Sequence, residues 1–325
     1  MSTSTSRPTV AVVGGGIAGA ACARALLAAD VAVRVLDRGR AGGGRLASRT
    51  LSGRRVDLGA SYCTASDERF VEVVDDWTAR GLARPWTDTF HVGGPDGLGA
   101  PKQGPLRYGA PAGLRTLVED LLVETPVELA TQVGSVGPGP TVDGTAYDAV
   151  VLAMPDPQAA GLLDASLVDE RAAVEGRTWE PVVALAAGWD ARTWDGSFDG
   201  CFVDGSDVLG WIADDGRRRG DGAPVLVAHS TSPFAARHLE DPAAATDPMV
   251  RATVGVLGVE QPPTWTRVQR WTYARPAAPR DAPFHLGPAR IGLCGDGWGA
   301  PKVETAYLSG RLLGEQLAAE LSARV

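Results

Sequence analysis

The sequence predicts an α/β protein: a Rossmann-like nucleotide-binding domain joined to a second, α+β domain built on an antiparallel sheet. Three observations carry this prediction. Residues 10–48 run as strand, glycine turn, helix, strand, acidic residue and second glycine turn. Residues 291–321 repeat the apolar strand, glycine turn and helix. Between them, PVVALAAGW, VLGWIAD, APVLVAHS and TWTRVQRWTYA have strand composition and are separated by Pro, Gly and Asp.

In the first segment Gly14, Gly16 and Gly19 hold the G-x-G-x-x-G spacing between the apolar run Val10 to Val13 and a helix rich in Ala and Leu. Gly14 permits the tight turn, Gly16 keeps side chains away from a pyrophosphate, and Gly19 lets the helix sit close on the strand. The helix N-terminus then faces the phosphates. Asp37 closes the strand VAVRVLD, where a carboxylate can accept both ribose hydroxyls. NAD or FAD satisfies this arrangement equally. Residues 113–124 have helical spacing, and PVELATQVGSV, TVDGTAY and DAVVLAMP read as strands of a meander. In the last segment, Ile291 to Cys294 runs into the Gly295-Asp296 turn. A helix starting near Pro301 follows, with Ala306, Leu308, Leu312, Leu313 and Leu317 near a period of 3.6.

The chain has 325 residues, enough for two domains, and 44% hydrophobic and 22% charged residues are ordinary for a globular protein. Its net charge of -8 argues against bulk electrostatic attraction to nucleic acid or an anionic membrane. Cys22, Cys63, Cys201 and Cys294 are scattered without metal-ligand spacing, so no metal is expected and they read as buried thiols of a reducing, cytoplasmic compartment. The leader MSTSTSRP is polar, the following apolar stretch is broken by glycines, and no uncharged apolar run reaches membrane-spanning length.

The continuation Gly42-Gly43-Gly44-Arg45 resembles the GGR segment of amine-oxidase-like flavoproteins, in which the arginine meets the FAD pyrophosphate. More of the chain is similar to renalase and its bacterial relatives within that superfamily. The resemblance is carried by GGGRLASRTLSGRRVDLGASYCTASDERF, WIADDGRRRG, VAHSTSPFAARHLE, RWTYARP and GLCGDGWGAPKVETAYLSG, from Val10 to about Leu317. It implies FAD in a domain of the p-hydroxybenzoate-hydroxylase/amine-oxidase type, and because Cys294 precedes the Gly295-Asp296 turn and is expected to point into the strand's packing, the FAD is expected to be non-covalent. The FAD contacts implied are Gly14, Gly16, Ala18, Gly19, Asp37, Arg38, Gly44, Arg45, Ser61, Tyr62, Val133 through its backbone, Gly295, Asp296, Lys302 and Val303. Asp296 would accept a ribityl hydroxyl, and the last helix would aim its amides at flavin N1 and O2, where the reduced ring carries negative charge. The FAD domain is expected over 1–65, 113–159 and 288–325, and the substrate domain over 66–112 and 160–287.

The activity implied is oxidation of 2- or 6-dihydroNAD(P) by hydride transfer to flavin N5, with O2 as acceptor and NAD(P)+ and H2O2 as products. The partners are therefore a small dihydronicotinamide dinucleotide and O2, with the protein a monomer or homodimer. An electron-rich dihydropyridine needs positioning rather than a strong base. Tyr62, Trp211, Trp271, Tyr273, Trp298 and His229 are the candidates for a flat pocket, with His229 also readable as a satisfied buried histidine. Ser61 departs from the glutamine common in the family. Arg217, Arg218 and Arg219 also depart from its pattern, and read either as a solvated, charge-neutralised hairpin or as a clamp on the substrate's phosphates. An amine oxidase or a dehydrogenase of a small secondary metabolite would share this cofactor set. That class places a lysine near the flavin, and neither Lys102 nor Lys302 is an obvious match. The remaining alternative is a dinucleotide-binding protein without catalysis.

Overall fold

The structure, a computed structural model, describes residues 7–323, so the first six residues of the polar leader lie outside it. The chain forms two compact units. The first comprises the chain up to Arg45, Val118–Thr178 and the chain from Arg275; the second comprises Leu46–Leu117 and Trp179–Ala274.

The first unit is built on a six-stranded sheet in the order His285–Leu286, Ile291–Leu293, Ala149–Leu152, Thr9–Val13, Ala32–Leu36, Val127–Glu128. All neighbours are parallel except the edge strand His285–Leu286. Val10 to Val13 and Ala149 to Leu152 are buried throughout, as central parallel strands covered on both faces must be. One core gathers Ala11, Val13, Val150, Leu152 and Leu293 with Leu163, Leu167 and Val174 from the segment that follows the strand Ala149–Leu152. The helix Ile17–Ala28 packs on the C-terminal helix Val303–Ser322 at very close range. A Cβ on Gly310 would stand 1.9 Å from the Ala18 carbonyl oxygen.

The second unit carries a seven-stranded sheet in the order Trp265–Pro276, Trp179–Gly188, Val225–Ser230, Leu209–Asp214, Gly200–Val203, Arg84–Gly94, Gly97–Gly109. The four strand segments read from sequence are all present. The sheet is not purely antiparallel, because Gly200–Val203 and Arg84–Gly94 pair in parallel. These two come from different chain segments, so no hairpin dictates their sense. Helices Ser232–Arg237 and Thr246–Leu257 contribute Phe234, Ala235, Met249 and Val256 to a core with Leu185, Cys201, Ile212 and Leu226.

The unit boundaries differ from those expected, and packing gives the reason. The hairpin Ser48–Leu51/Arg54–Asp57 belongs with the second unit, since Val56 and Leu58 pack on Ala184, Ala186, Val225 and Val227. Residues 160–178 belong with the first, whose core holds Leu163, Leu167 and Val174, and 275–287 add its edge strand. The expected strand PVELATQVGSV is paired only at Val127–Glu128 and Val136–Gly137. Between them Ala130 has φ +54°, and the Asp143 carboxylate takes the Gly134 and Ser135 amides out of any ladder. Among the described residues no helix is long and apolar enough to cross a membrane, and no cluster of three or more His, Cys, Asp or Glu could hold a metal ion.

Candidate functional site

In the first unit, the glycine turn is forced by its neighbours. Gly14 sits at φ +113°, its amide donates to the Leu36 carbonyl at 2.8 Å, and a Cβ there would stand 2.5 Å from the Ala153 oxygen. A Cβ on Gly19 would fall 2.0 Å from the Gly14 oxygen, so helix and turn can approach only because both residues are glycine. Gly16 precedes the helix Ile17–Ala28 and offers no side-chain cap, which leaves the first-turn amides for a ligand. Asp37, at the end of Ala32–Leu36, accepts from the Gly15 and Gly39 amides, each at 2.6 Å. A carboxylate has about four lone-pair sites, so this bracing leaves acceptor capacity for a ribose. Arg38 beside it is exposed.

The second glycine turn locks onto the first, with the Gly43 amide donating to the Gly15 oxygen at 2.8 Å. Gly44 lies against Gly16, and this crossing points Arg45 across the sheet end to Asp296. The guanidinium holds both carboxylate oxygens, at 2.8 and 2.5 Å. The pair joins the first and last motifs of the chain, and neither side chain is fully buried. Gly295 has φ +138° and a Cβ added to it would enter open space, while its amide donates to Ser309 Oγ at 2.9 Å. Lys302 precedes the C-terminal helix without a side-chain cap and Val303 begins it, so a second helix N-terminus opens beside this turn. Two uncapped helix starts, an arginine fork, two braced carboxylates and the cradle at Gly295 fit a dinucleotide with an anionic centre and a polyhydroxyl arm. Val133 is 5% exposed, in the unit's core, with its side chain used for packing. Ala18 is buried, where its carbonyl meets Gly310. Cys294 is buried beside the turn, and burial pushes its thiol up to about 12.

In the second unit the pleat gathers most of the substrate-pocket candidates. Phe202 pairs with Trp211, Trp211 with His229 and His229 with Ala184, so these residues project from one sheet face. Trp271 packs on the core of that face and donates its indole N–H to the Leu58 carbonyl at 2.7 Å. Ser61, expected at the cofactor, accepts from Trp211 Nε1 at 3.0 Å and fixes that ring. Tyr62 lies 6.0 Å from Trp211, 5.5 Å from Phe90 and 6.1 Å from Trp86 between ring centres. Burial pushes the Tyr62 hydroxyl up, opposed by the Arg107 guanidinium beside it. Tyr273, two residues beyond Trp271 on the same strand, is half-buried. Trp298 belongs to the first unit, where it is 8% exposed in the core with Arg280 over its ring at 4.0 Å.

Arg217 to Arg219 are charge-neutralised as one reading expected, but they do not form a solvated hairpin, and Arg218 and Arg219 are buried on partners within the unit. The segment is a short helix, Asp215–Arg219, because Asp214 caps the Arg217 amide at 2.8 Å and Gly220 ends it at φ +83°. Arg218 has no exposed surface, pairs with Asp215, stands 3.9 Å from Asp57 and donates to the Ser61 carbonyl at 2.9 Å. Arg219 donates to the Pro111 carbonyl at 2.6 Å, and Arg217 binds Asp199 at 2.7 Å. Arg54 reaches the same cluster through Asp215. Burial pushes the Asp57 carboxyl up, against the pull of Arg218. Sequence reading missed Asp57, Arg107 and Arg280, each alone in its segment with no motif to mark it. The spacing of Asp214, Asp215 and Gly220 around the arginines was the available signal for a capped helix.

Comparison with known proteins agrees with this architecture. Residues 12–77 match the family described as NAD(P)-binding Rossmann-like domain. A protein assigned as a protoporphyrinogen oxidase from Exiguobacterium sp. 255-15 superposes with a TM-score of 0.75 at 15% identity, covering 97% of this chain and 99% of that one. Wild-type putrescine oxidase bound to putrescine gives 0.74 at 14% identity, with 98% and 99% covered. A CLA-producing fatty acid isomerase from P. acnes gives 0.71 at 13% identity, with 98% of each chain covered. The chain therefore shares the fold of these proteins along nearly its whole length.

Proposed function

We propose that the protein is an FAD-dependent oxidoreductase that oxidises 2- or 6-dihydroNAD(P), with O2 as the final acceptor. The observation that carries the cofactor reading is the Arg45–Asp296 pair, which brings the two cofactor motifs together beside two uncapped helix starts. FAD, when bound, supplies the two-electron acceptor. Gly14, Gly16, Gly19 and the amides of Ile17–Ala28 would take its pyrophosphate, Asp37 and Arg38 its adenosine end, and Val133 the adenine through its backbone. Arg45, freed from Asp296 by the phosphates, would bind them through its fork. Asp296 would then accept from the polyhydroxyl arm, with Gly44, Gly295, Lys302 and Val303 shaping the turns around it.

Net, dihydroNAD(P) loses a hydride to become NAD(P)+, and O2 takes its two electrons and one proton, with a second proton from solvent, to become H2O2. Hydride transfer from this donor needs no base to remove a proton, so the second-unit face of Tyr62, Trp211 and Trp271 would act by positioning the ring. Likeness in fold to putrescine oxidase supports a second reading, an amine oxidase or a dehydrogenase of a small metabolite. Anaerobic mixing of the purified protein with 6-dihydroNAD and with a panel of amines separates the two. Bleaching of the flavin by 6-dihydroNAD alone is the expected result; bleaching only by amines would replace this reading with the second, and a colourless protein would remove both.

A further inference from the structure

Arg107 ends the exposed run of the strand Gly97–Gly109, yet its own side chain is turned in and only 7% exposed. It hydrogen-bonds the Tyr62 hydroxyl but forms no ion pair among the described residues, and its Nε and Nη1 are buried without hydrogen-bond partners. Every other wholly or nearly buried arginine of the second unit has an acidic partner, Arg218 and Arg219 both sharing Asp57. A guanidinium taken out of water without a counter-charge is costly, and the rings around it offset only part of that cost. Its carbon lies 4.1 Å from the Phe90 ring centre and 5.9 Å from that of Tyr62. Gly104 leaves room for the third nitrogen, since a Cβ there would stand 2.8 Å from Nη2. The Tyr62 hydroxyl, raised by burial, stays protonated and supplies no negative charge. Asp88, on the neighbouring strand, acts on Arg107 through space rather than as an ion pair, while its oxygens accept from Thr89 Oγ1 and Gln103 Nε2 at 2.7 and 2.8 Å.

The surroundings are flat and aromatic. Trp86 is 5.2 Å from Phe90, Phe90 is 4.7 Å from Trp211, and Phe202 beside them is 42% exposed, so the wall is open at one side. We propose that Arg107, with the rings of Tyr62, Trp86, Phe90 and Trp211, forms a subsite for a planar ring bearing a carboxylate. The guanidinium supplies two parallel N–H donors to the carboxylate and the rings stack or edge against the ligand's plane. A phosphate on a flexible, hydrated tail would gain the charge but waste the wall. The inference rests on the nicotinamide reading only for the choice of probe, and goes beyond it in assigning this subsite a planar ring bearing a carboxylate, with nicotinate as the test case.

The test is calorimetric titration of the purified protein with nicotinate, nicotinamide and inorganic phosphate. Nicotinate and nicotinamide share a shape and differ in charge, so nicotinate is expected to bind about tenfold tighter or better. R107Q should remove that preference while leaving nicotinamide within about threefold, and R107K, a charge without a fork, should fall between. Equal binding of acid and amide, no heat with nicotinate, or phosphate competing as well as nicotinate would each overturn the subsite. Should R107Q lose its circular dichroism, the wild-type pair and R107K still decide. Binding heat needs no turnover: a flavin that 6-dihydroNAD bleaches beside an absent nicotinate preference rejects the subsite alone, and the converse rejects the oxidase reading alone.

Discussion

Arg218 shows how far a single residue can depart from the look of its segment. Three arginines among three aspartates and several glycines suggest solvent, yet Arg218 is fully buried and tied to Asp215, to the Ser61 carbonyl and, at longer range, to Asp57. Removing one partner of a buried pair strands the other charges, at a cost of about 3–5 kcal/mol. Arg218→Ala is therefore expected to lower thermal stability sharply. Because the residue meets the backbone of Ser61 and no open surface, KM values for a dihydronicotinamide dinucleotide and its mononucleotide should change by the same factor. A selective rise for the dinucleotide would return Arg218 to phosphate binding. The glycines, Asp37 and Asp296 were legible because their spacing is dictated by local backbone geometry. Arg107 and Asp57 were not, since their importance lies in which carboxylates and rings the fold brings near, and sequence distance hides that.

At the level of elements, strands with fully apolar runs or clear alternation were read correctly, and segments whose pairing depends on a distant partner were not. The edge strand His285–Leu286 was missed because two residues have no period to read. It places His285 over Trp298 with 6.1 Å between ring centres and leaves its Nε2 without a hydrogen-bond partner. Burial lowers the His285 pKa from 6.5, an effect that Glu170 and Asp169 oppose and Arg280 reinforces. The folded protein thus holds the ring neutral to lower pH than the unfolded chain does. Below pH 6.5 the unfolded state binds more protons, so the stability present above that value is lost as pH falls through the folded-state pKa. Thermal melts between neutral pH and pH 5 should show wild-type stability falling more steeply than that of His285→Asn. Parallel curves for the two would show that another group governs the acid limb.

For the whole molecule, the two-domain plan was readable from recurring motifs, but its boundaries were not. The chain passes between the units at 45/46, 117/118, 178/179 and 274/275, and nothing in composition marks those crossings. They are fixed by which core a segment's apolar side chains reach, as with Val56 in the second unit and Leu163 in the first. One consequence is that the first unit closes only when the last helix returns to the first. Gly310 meets the Ala18 carbonyl and Gly314 the Cys22 carbonyl, so the two helices touch backbone to backbone over more than a turn. The same two helices present the uncapped N-termini proposed to hold FAD. A side chain at Gly310 cannot be absorbed by rotamer change, because its obstacle is main chain; overpacking of this kind costs about 3 kcal/mol. Gly310→Val should therefore lower Tm and reduce the flavin retained per protein chain, with both effects arising together. Gln316→Val, on the exposed side of the same helix, should leave both near wild type. Equal melting and equal flavin content in the two variants would mean that the helix pair can separate without loss, and that the first unit does not depend on the end of the chain to hold its cofactor.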